Sequence, residues 1–379
     1  MSILFVTHYS GFYGANKSLL TLMVMLRERH GIKPIVLLPC MGQMCTALIK
    51  EGIPYKVFHY YWWVNYNHGF FQWLLNKRKQ IVNLKRLNRI CKLFKGENID
   101  LIYTNSICVN MGYLMARRLR VPHIWQARES LVQFSLSLSL SLSLSIWSSM
   151  VNKKYILISD YMMEYYKRYL PNDRMVKVYN GVDLPKNVFG RSNNIISGRL
   201  QIGCMGILSE QKNQLELLKA QALLHKEGVD VETWFIGSTK ADYTPILQDF
   251  IKTNDLQKIA HVVGHQNDVF PILQQMNLGV VSAHDEAFGR VTVEFMLMRM
   301  PVVVSRSGAN TELVESGVTG EVYELGDVKA LAQAIKMYVE KPELLEEQGA
   351  KAERKAKEEF SAERNADLIF EQINQVTTK

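Results

Sequence analysis

The stretch Val280-Val-Ser-Ala-His-Asp-Glu-Ala-Phe-Gly-Arg-Val-Thr-Val-Glu-Phe-Met296 passes from a short apolar run, through a polar loop with one glycine, into a helical pattern. Strand, loop and helix in that order form the repeating unit of a doubly wound α/β fold, which places ligands at the carboxyl ends of its strands. Two glutamates, Glu286 and Glu294, bracket the transition, and Arg290 stands where the helix is expected to begin. A helix N-terminus offers unpaired backbone N–H groups and the positive end of the dipole, so it suits an anion. Glu294, placed by this reading in the first helical turn, either complements that dipole or uses its acceptor-only oxygens to hold two vicinal hydroxyls. Glu286 lies in the loop, where a capping role explains less.

The same pattern surrounds this stretch. Leu200–Gly206 reads as a strand, 207–213 as a loop and 214–226 as a helix, and further strands are expected at 231–236, 259–263, 278–282 and 301–305. That is a βα array with a parallel sheet. Lys212 sits in the first of its loops, just before a helix, either as a partner for a diphosphate or as a solvated loop residue. Lys212 and Arg290 converging on one site would stabilise a departing diphosphate.

The first half repeats the design. Ile3–Val6 leads into a loop with Gly11 and Gly14, then a helix carrying Leu19, Leu22, Met23 and Leu26. No G-x-G-x-x-G is present, so a dinucleotide site is not indicated. Strands are expected at 35–38, 56–58, 99–106, 123–129, 155–159 and 176–183. Asn105, Arg128 and Glu129 fall at strand tips, as ligand contacts or as helix caps and surface ion pairs. The polar segment 184–199 reads as a linker. Domains are therefore expected at 1–183 and 200–360, with a helical, charged tail whose last part is 361–379.

The chain has 379 residues, 47% of them hydrophobic, and a net charge of +9. Residues 1–183 carry 24 Lys and Arg against 9 Asp and Glu, whereas residues 184–379 carry 21 against 27. The basic half points to an anionic partner. Within it, the aromatic run 60–73 precedes a helix expected to set Ile81, Leu84, Leu87, Cys91 and Phe94 on one face. Aromatic residues beside a basic amphipathic helix fit a membrane surface; the plainer reading is a core-facing helix with a solvated basic side. Nucleic acid is not expected as a partner. No apolar run is long enough to span a bilayer and no signal peptide is evident, so a cytoplasmic protein is expected, peripheral on the membrane if docked there. Five cysteines without C-x-x-C pairing read as buried free thiols. The Ser-Leu alternation at 135–145 has the period of a strand, yet its regularity is that of a slipped-repeat expansion.

Glu286 to Glu294 resembles the E-x7-E element of the retaining glycosyltransferases of the GT-B fold, in the large family that holds bacterial polysaccharide, lipopolysaccharide and sucrose-type transferases. Asn180-Gly-Val-Asp183, Lys212-Asn-Gln214, Gly264-His265, Pro301–Glu312 and Gly317-Val-Thr-Gly320 are similar to the same family's pattern, in order and spacing. The resemblance implies two Rossmann-like domains facing across a cleft, with the donor site in the second. Glu294 would bind the donor ribose, Lys212 the diphosphate, and Glu286 would lie by the transferred sugar. Backbone groups of Phe288 and Gly289, the Arg290 side chain and the Gly206 turn would approach sugar and phosphates, and Gly264 and His265 the base. Gly14 would belong to the first-domain loop near the diphosphate and acceptor. The final helix would cross back to the first domain.

The resemblance also implies a metal-independent enzyme without cofactor, whose co-substrate is a nucleotide diphosphate sugar and whose acceptor is a glycan or lipid-linked molecule. A nucleotide-sugar epimerase of the same fold and a non-catalytic nucleotide-sugar binder are the alternative expectations. Four positions depart from the pattern: Ile207 where Arg is common, Gln126 where His is common, Phe295 where a small residue is usual and Arg299 where glycine is usual.

Overall fold

The computed structural model describes residues 1–63, 70–130, 152–185 and 198–378. The Ser-Leu repeat, most of the 184–199 segment and the middle of the aromatic run lie outside the described residues. The chain forms two compact units, Met1–Gly181 with Ala362–Lys379, and Val182–Ser361.

The first unit is built on strands β1 (Ser2–Val6), β2 (Lys33–Leu38), β3 (Tyr55–Val57), β4 (Leu101–Thr104), β5 (His123–Ala127), β6 (Asn152–Leu157) and β7 (Met175–Lys177). All pair in parallel, in the order β3-β2-β1-β4-β5-β6-β7. Ile3 to Val6 are wholly buried, because a parallel sheet is covered on both faces. Helices α1 (Gly14–His30), α2 (Gln43–Lys50), α3 (Phe70–Lys92), α4 (Met111–Leu119) and α5 (Asp160–Tyr166) accompany the strands. Leu19, Leu22 and Leu26 of α1 fill one face of the sheet; Ile90 of α3 with Met111 and Met115 of α4 fill the other.

The expected inward face of α3 holds only in its later part: Phe94 is buried and Leu87 and Cys91 pack against the core, whereas Ile81 and Leu84 are exposed. Among the described residues of α3 the fully buried positions are Asn83 and Ile90. Asn83 earns its place through its amide, which accepts from Tyr61 N and donates to Tyr61 O, both at 2.9 Å. A polar residue in a core register shifts the apparent apolar stripe by part of a turn.

The second unit runs β8 (Leu200–Met205), α6 (Gln214–Lys226), β9 (Val231–Ile236), α7 (Thr244–Thr253), β10 (Ala260–Gly264), α8 (Phe270–Leu273), β11 (Leu278–Val281), α9 (Arg290–Leu297), β12 (Val302–Ser305), α10 (Asn310–Leu313), β13 (Gly320–Tyr323), α11 (Val328–Glu340) and α12 (Glu343–Glu359). Its sheet is parallel too, ordered β10-β9-β8-β11-β12-β13. β13 went unread in the sequence because it is short and opens with glycine. Asp327 caps α11, accepting from Ala330 N at 2.9 Å. The charged tail is two helices, α12 and α13 (Ala362–Thr377), the second packed in the first unit through Ala366, Ile369 and Ile373. Arg29 and His30 of α1 both reach Asp367 at 2.8 Å.

Two unusual residues find local compensation. Phe295 is fully buried over the central strands, where a Cβ on Gly203 or Gly279 would stand 3.1 or 2.5 Å from its ring. Paired glycines on adjacent strands thus make the room that a small residue at 295 would otherwise supply. Arg299 adopts φ 61°, a conformation that favours glycine. Its guanidinium is held by Glu346 and by Glu353 at 3.4 Å, both on α12.

Candidate donor and acceptor sites

In each sheet the order of connection reverses beside the first strand, at β1/β4 and at β8/β11, and ligands of open α/β sheets bind outside the carboxyl ends at such a point. In the second unit, the tips of β8, β9 and β10 are followed or ended by Gly206, Gly237 and Gly264, all with positive φ. A Cβ on Gly237 would lie 1.9 Å from Gly206 O, so the first two tips touch backbone to backbone. Gly237 N also donates to Gly264 O at 3.0 Å. The Lys212 methylenes pass 3.7–3.8 Å from where a Gly206 Cβ would be, so glycine leaves space for the lysine stem. His265 is exposed just past β10.

Lys212 ends a 3-10 turn, Glu210–Lys212, and Asn213 turns the chain into α6 with φ 50°. Ser282, after β11, donates to Asn213 O at 2.9 Å and lies 3.2 Å from Lys212 O, joining the two loops of the switch point. Lys212 Nζ donates to Glu286 Oε2 at 2.5 Å. The other carboxyl oxygen of Glu286 accepts from Gly289 N at 3.2 Å. The backbone of Glu286 is held from behind: its carbonyl accepts from Ala309 N at 2.7 Å, and a Cβ on Gly308 would come within 2.2 Å of that oxygen. Gly289, at φ 92°, is the N-cap of α9.

α9 begins at Arg290, so Glu294 falls one turn inside and not in the first turn. It accepts from Arg290 Nε at 2.9 Å, an i,i+4 pair, which removes the dipole-complement alternative and leaves the hydroxyl-binding one untouched. The four charged side chains therefore form two partly covered pairs, Lys212–Glu286 and Arg290–Glu294, whose charges cancel. Phe288 is buried with its ring on Phe360, centroids 6.0 Å apart, so only its backbone can meet a ligand.

In the first unit Asn105, Arg128 and Glu129 do converge, at the tips of β4 and β5. Arg128 is buried and donates to Asn105 Oδ1 at 2.5 Å and to Asn180 Oδ1 at 2.6 Å, so it is an internal tie and not a surface ion pair. Asn105 Nδ2 reaches Ala15 O, at the start of α1, at 3.4 Å. Nothing lies within 4 Å of a would-be Gly14 Cβ. Glu129 alone of the three keeps an open edge, its side chain 21% exposed. Ser106 Oγ donates to it at 3.0 Å and His8 Nε2 stands 3.4 Å away. Burial pushes its carboxyl up to about 7, against the opposing pull of the Ser106 hydrogen bond and the Arg128 charge. Burial, then Arg128, hold the His8 imidazole down at about 3, so it is neutral at pH 7.

His8, Ser106 and Gly237 escaped the sequence reading. Each directly follows a strand or its tip residue, and that position was the available signal. Gln126, wholly buried, makes no hydrogen bond from either amide atom among the described residues. Of the five thiols, Cys45, Cys108 and Cys204 are buried, whereas Cys91 is half-buried and Cys40 exposed, contrary to the expectation for those two. Among the described residues no helix is long and apolar enough to cross a membrane, and no three His, Cys, Asp or Glu gather as metal ligands would.

Residues 186–355 match the family model described as Glycosyl transferases group 1. The chain is similar to the capsular polysaccharide biosynthesis glycosyltransferase CapM of Staphylococcus aureus, 24% identical over 202 residues, which are 51% of each chain. It is also similar to the lipopolysaccharide core biosynthesis mannosyltransferase LpcC of Rhizobium leguminosarum bv. viciae, 29% identical over 177 residues, 46% of this chain and 50% of the relative. The chain thus spans about half the length of these curated relatives. Among solved structures, Anabaena Alr3699/HepE in complex with UDP and glucose superposes with a TM-score of 0.81 at 23% identity, covering 99% of this chain and 100% of that one. Residues 186–355, within the second unit, thus resemble the glycosyltransferase group 1 family, and the whole chain carries the GT-B fold of two Rossmann-like units.

Proposed function

We propose that the protein is a glycosyltransferase that moves a sugar from a nucleotide diphosphate sugar to a glycan or lipid-linked acceptor in bacterial surface polysaccharide synthesis, with retention of anomeric configuration and without a metal. The observation that carries this is the gathering of Lys212, Glu286, Gly289, Arg290 and Glu294 around one loop-to-helix transition beside the β8/β11 switch point. Lys212, Arg290 and the α9 N-terminus take the leaving diphosphate. Glu294 holds the ribose hydroxyls and Glu286 a hydroxyl of the transferred sugar. Gly264 and His265 lie by the base. The acceptor hydroxyl bonds to the anomeric carbon on the face from which the diphosphate departs and gives its proton to that diphosphate, and Glu129, near Asn105 and Arg128 in the first unit, binds the acceptor. The names of CapM and LpcC and the UDP and glucose bound to HepE support this reading.

The acceptor is met at the inner face of the cytoplasmic membrane. α3 contains seven Lys and Arg and no Asp or Glu, and exposes Leu74, Leu75, Ile81 and Leu84. Apolar side chains among cations suit an anionic lipid surface.

Purified protein incubated with nucleotide sugars and membranes tests the reading. Sugar joined to a membrane acceptor in the donor's own anomeric configuration, with transfer lowered about 100-fold or more in Lys212→Ala, is expected. Donor converted to an isomer with no acceptor consumed contradicts it.

A further inference from the structure

In the donor site each cation is already matched by a carboxylate, Lys212 to Glu286 at 2.5 Å and Arg290 to Glu294 at 2.9 Å. Both glutamates are more covered than ordinary surface carboxylates, their side chains 15% and 14% exposed. Glu286 is not free to swing away: Gly289 N holds one oxygen, and Gly308 and Ala309 hold its backbone. An anion that takes Lys212 must therefore compete with a fixed carboxylate and leaves that carboxylate without its partner. A part-buried carboxylate stripped of its partner is unfavourable unless new donors reach it.

We propose that Glu286 is a specificity-determining residue which acts by ion-pair exchange: it occupies Lys212 against bare anions, and yields it only to a ligand whose hydroxyls satisfy the freed carboxylate. This rests on the glycosyltransferase reading and adds a rule for its donor. A nucleotide sugar brings a diphosphate for Lys212 and Arg290 together with hydroxyl donors for Glu286 and Glu294. Inorganic phosphate or pyrophosphate brings only the first half. Recognition of phosphate and of hydroxyls is thereby coupled in one site, because each ligand part completes the exchange that the other begins.

The test uses inorganic pyrophosphate, which has no base, ribose or sugar, titrated calorimetrically into the full chain at constant ionic strength. Glu286→Gln keeps the acceptor for Gly289 N but releases Lys212, and is expected to bind pyrophosphate about 2- to 10-fold tighter than wild type. Glu227→Gln is the control. Its charge change is the same, but Glu227 pairs with Lys336 at the far end of α6, about 20 Å from Lys212 by helix rise. Unchanged or weaker pyrophosphate binding in Glu286→Gln, equal tightening in the control, or no binding by either protein overturns the exchange. Absence of glycosyl transfer by wild type counts against the enzyme reading instead, and the pyrophosphate comparison then still decides whether Glu286 guards Lys212.

Discussion

Glu129 shows how much a single environment can change a side chain's chemistry. Its carboxylate has Arg128 as its sequence neighbour, which alone would pull it down. Burial wins and raises it to about 7. Among the described residues, His8, Tyr9, Arg128, Cys108 and Tyr166 are the ionisable groups that face it. A carboxyl raised in the folded state contributes stability while protonated, and that stability is lost as pH rises from 4.5 through about 7. His8 runs the other way: its stability is present above 6.5 and is lost as pH falls toward about 3. Glu129→Gln removes the carboxyl titration alone. It is expected to be more stable than wild type at pH 8 by on the order of 2 kcal/mol and similar at pH 4, read by urea unfolding. A variant less stable at pH 8 contradicts the account of burial.

At the scale of elements, the strands were legible because buried parallel strands are continuous apolar runs, and Ile3–Val6 or Val302–Val304 could be little else. α6 was found end to end. What failed had physical causes. β13 has too few apolar residues, and Asn83 occupies a core position that hydropathy assigns to a surface. The apolar face expected of α3 is divided, with Leu87, Cys91 and Phe94 turned inward and Ile81 and Leu84 outward. With Ile81 and Leu84 exposed, that face is apolar and cationic at once. Replacing both by Asp is expected to leave thermal stability within about 0.5 kcal/mol, because neither is buried. It should also abolish sedimentation with phosphatidylglycerol vesicles. Unchanged vesicle binding would contradict docking through α3, and a large stability loss would mean that the two side chains pack inside.

At the scale of the whole molecule, two parallel βα arrays were foreseeable from the restart of the pattern at Leu200, whereas their shared order of connection was visible only in the structure. Lys212, Glu286, Arg290 and Glu294, which pair around the α9 N-terminus, were all singled out as candidates from the sequence. Their mutual pairing was not, because spacing along the chain carries no distance between separate loops. Nor could spacing show that Arg128 ties Asn105 to Asn180 and leaves Glu129 as the open group. A nucleoside diphosphate held at the β8/β11 switch point of the second unit is the claim on which the proposed activity rests most heavily. Calorimetric titration of UDP, GDP and ADP into wild type, Lys212→Ala and Glu294→Ala measures it directly. One nucleotide is expected to bind wild type, and each substitution to weaken it about 10-fold or more while the protein stays folded. Equal affinity in all three proteins, or no binding by wild type, would contradict the claim.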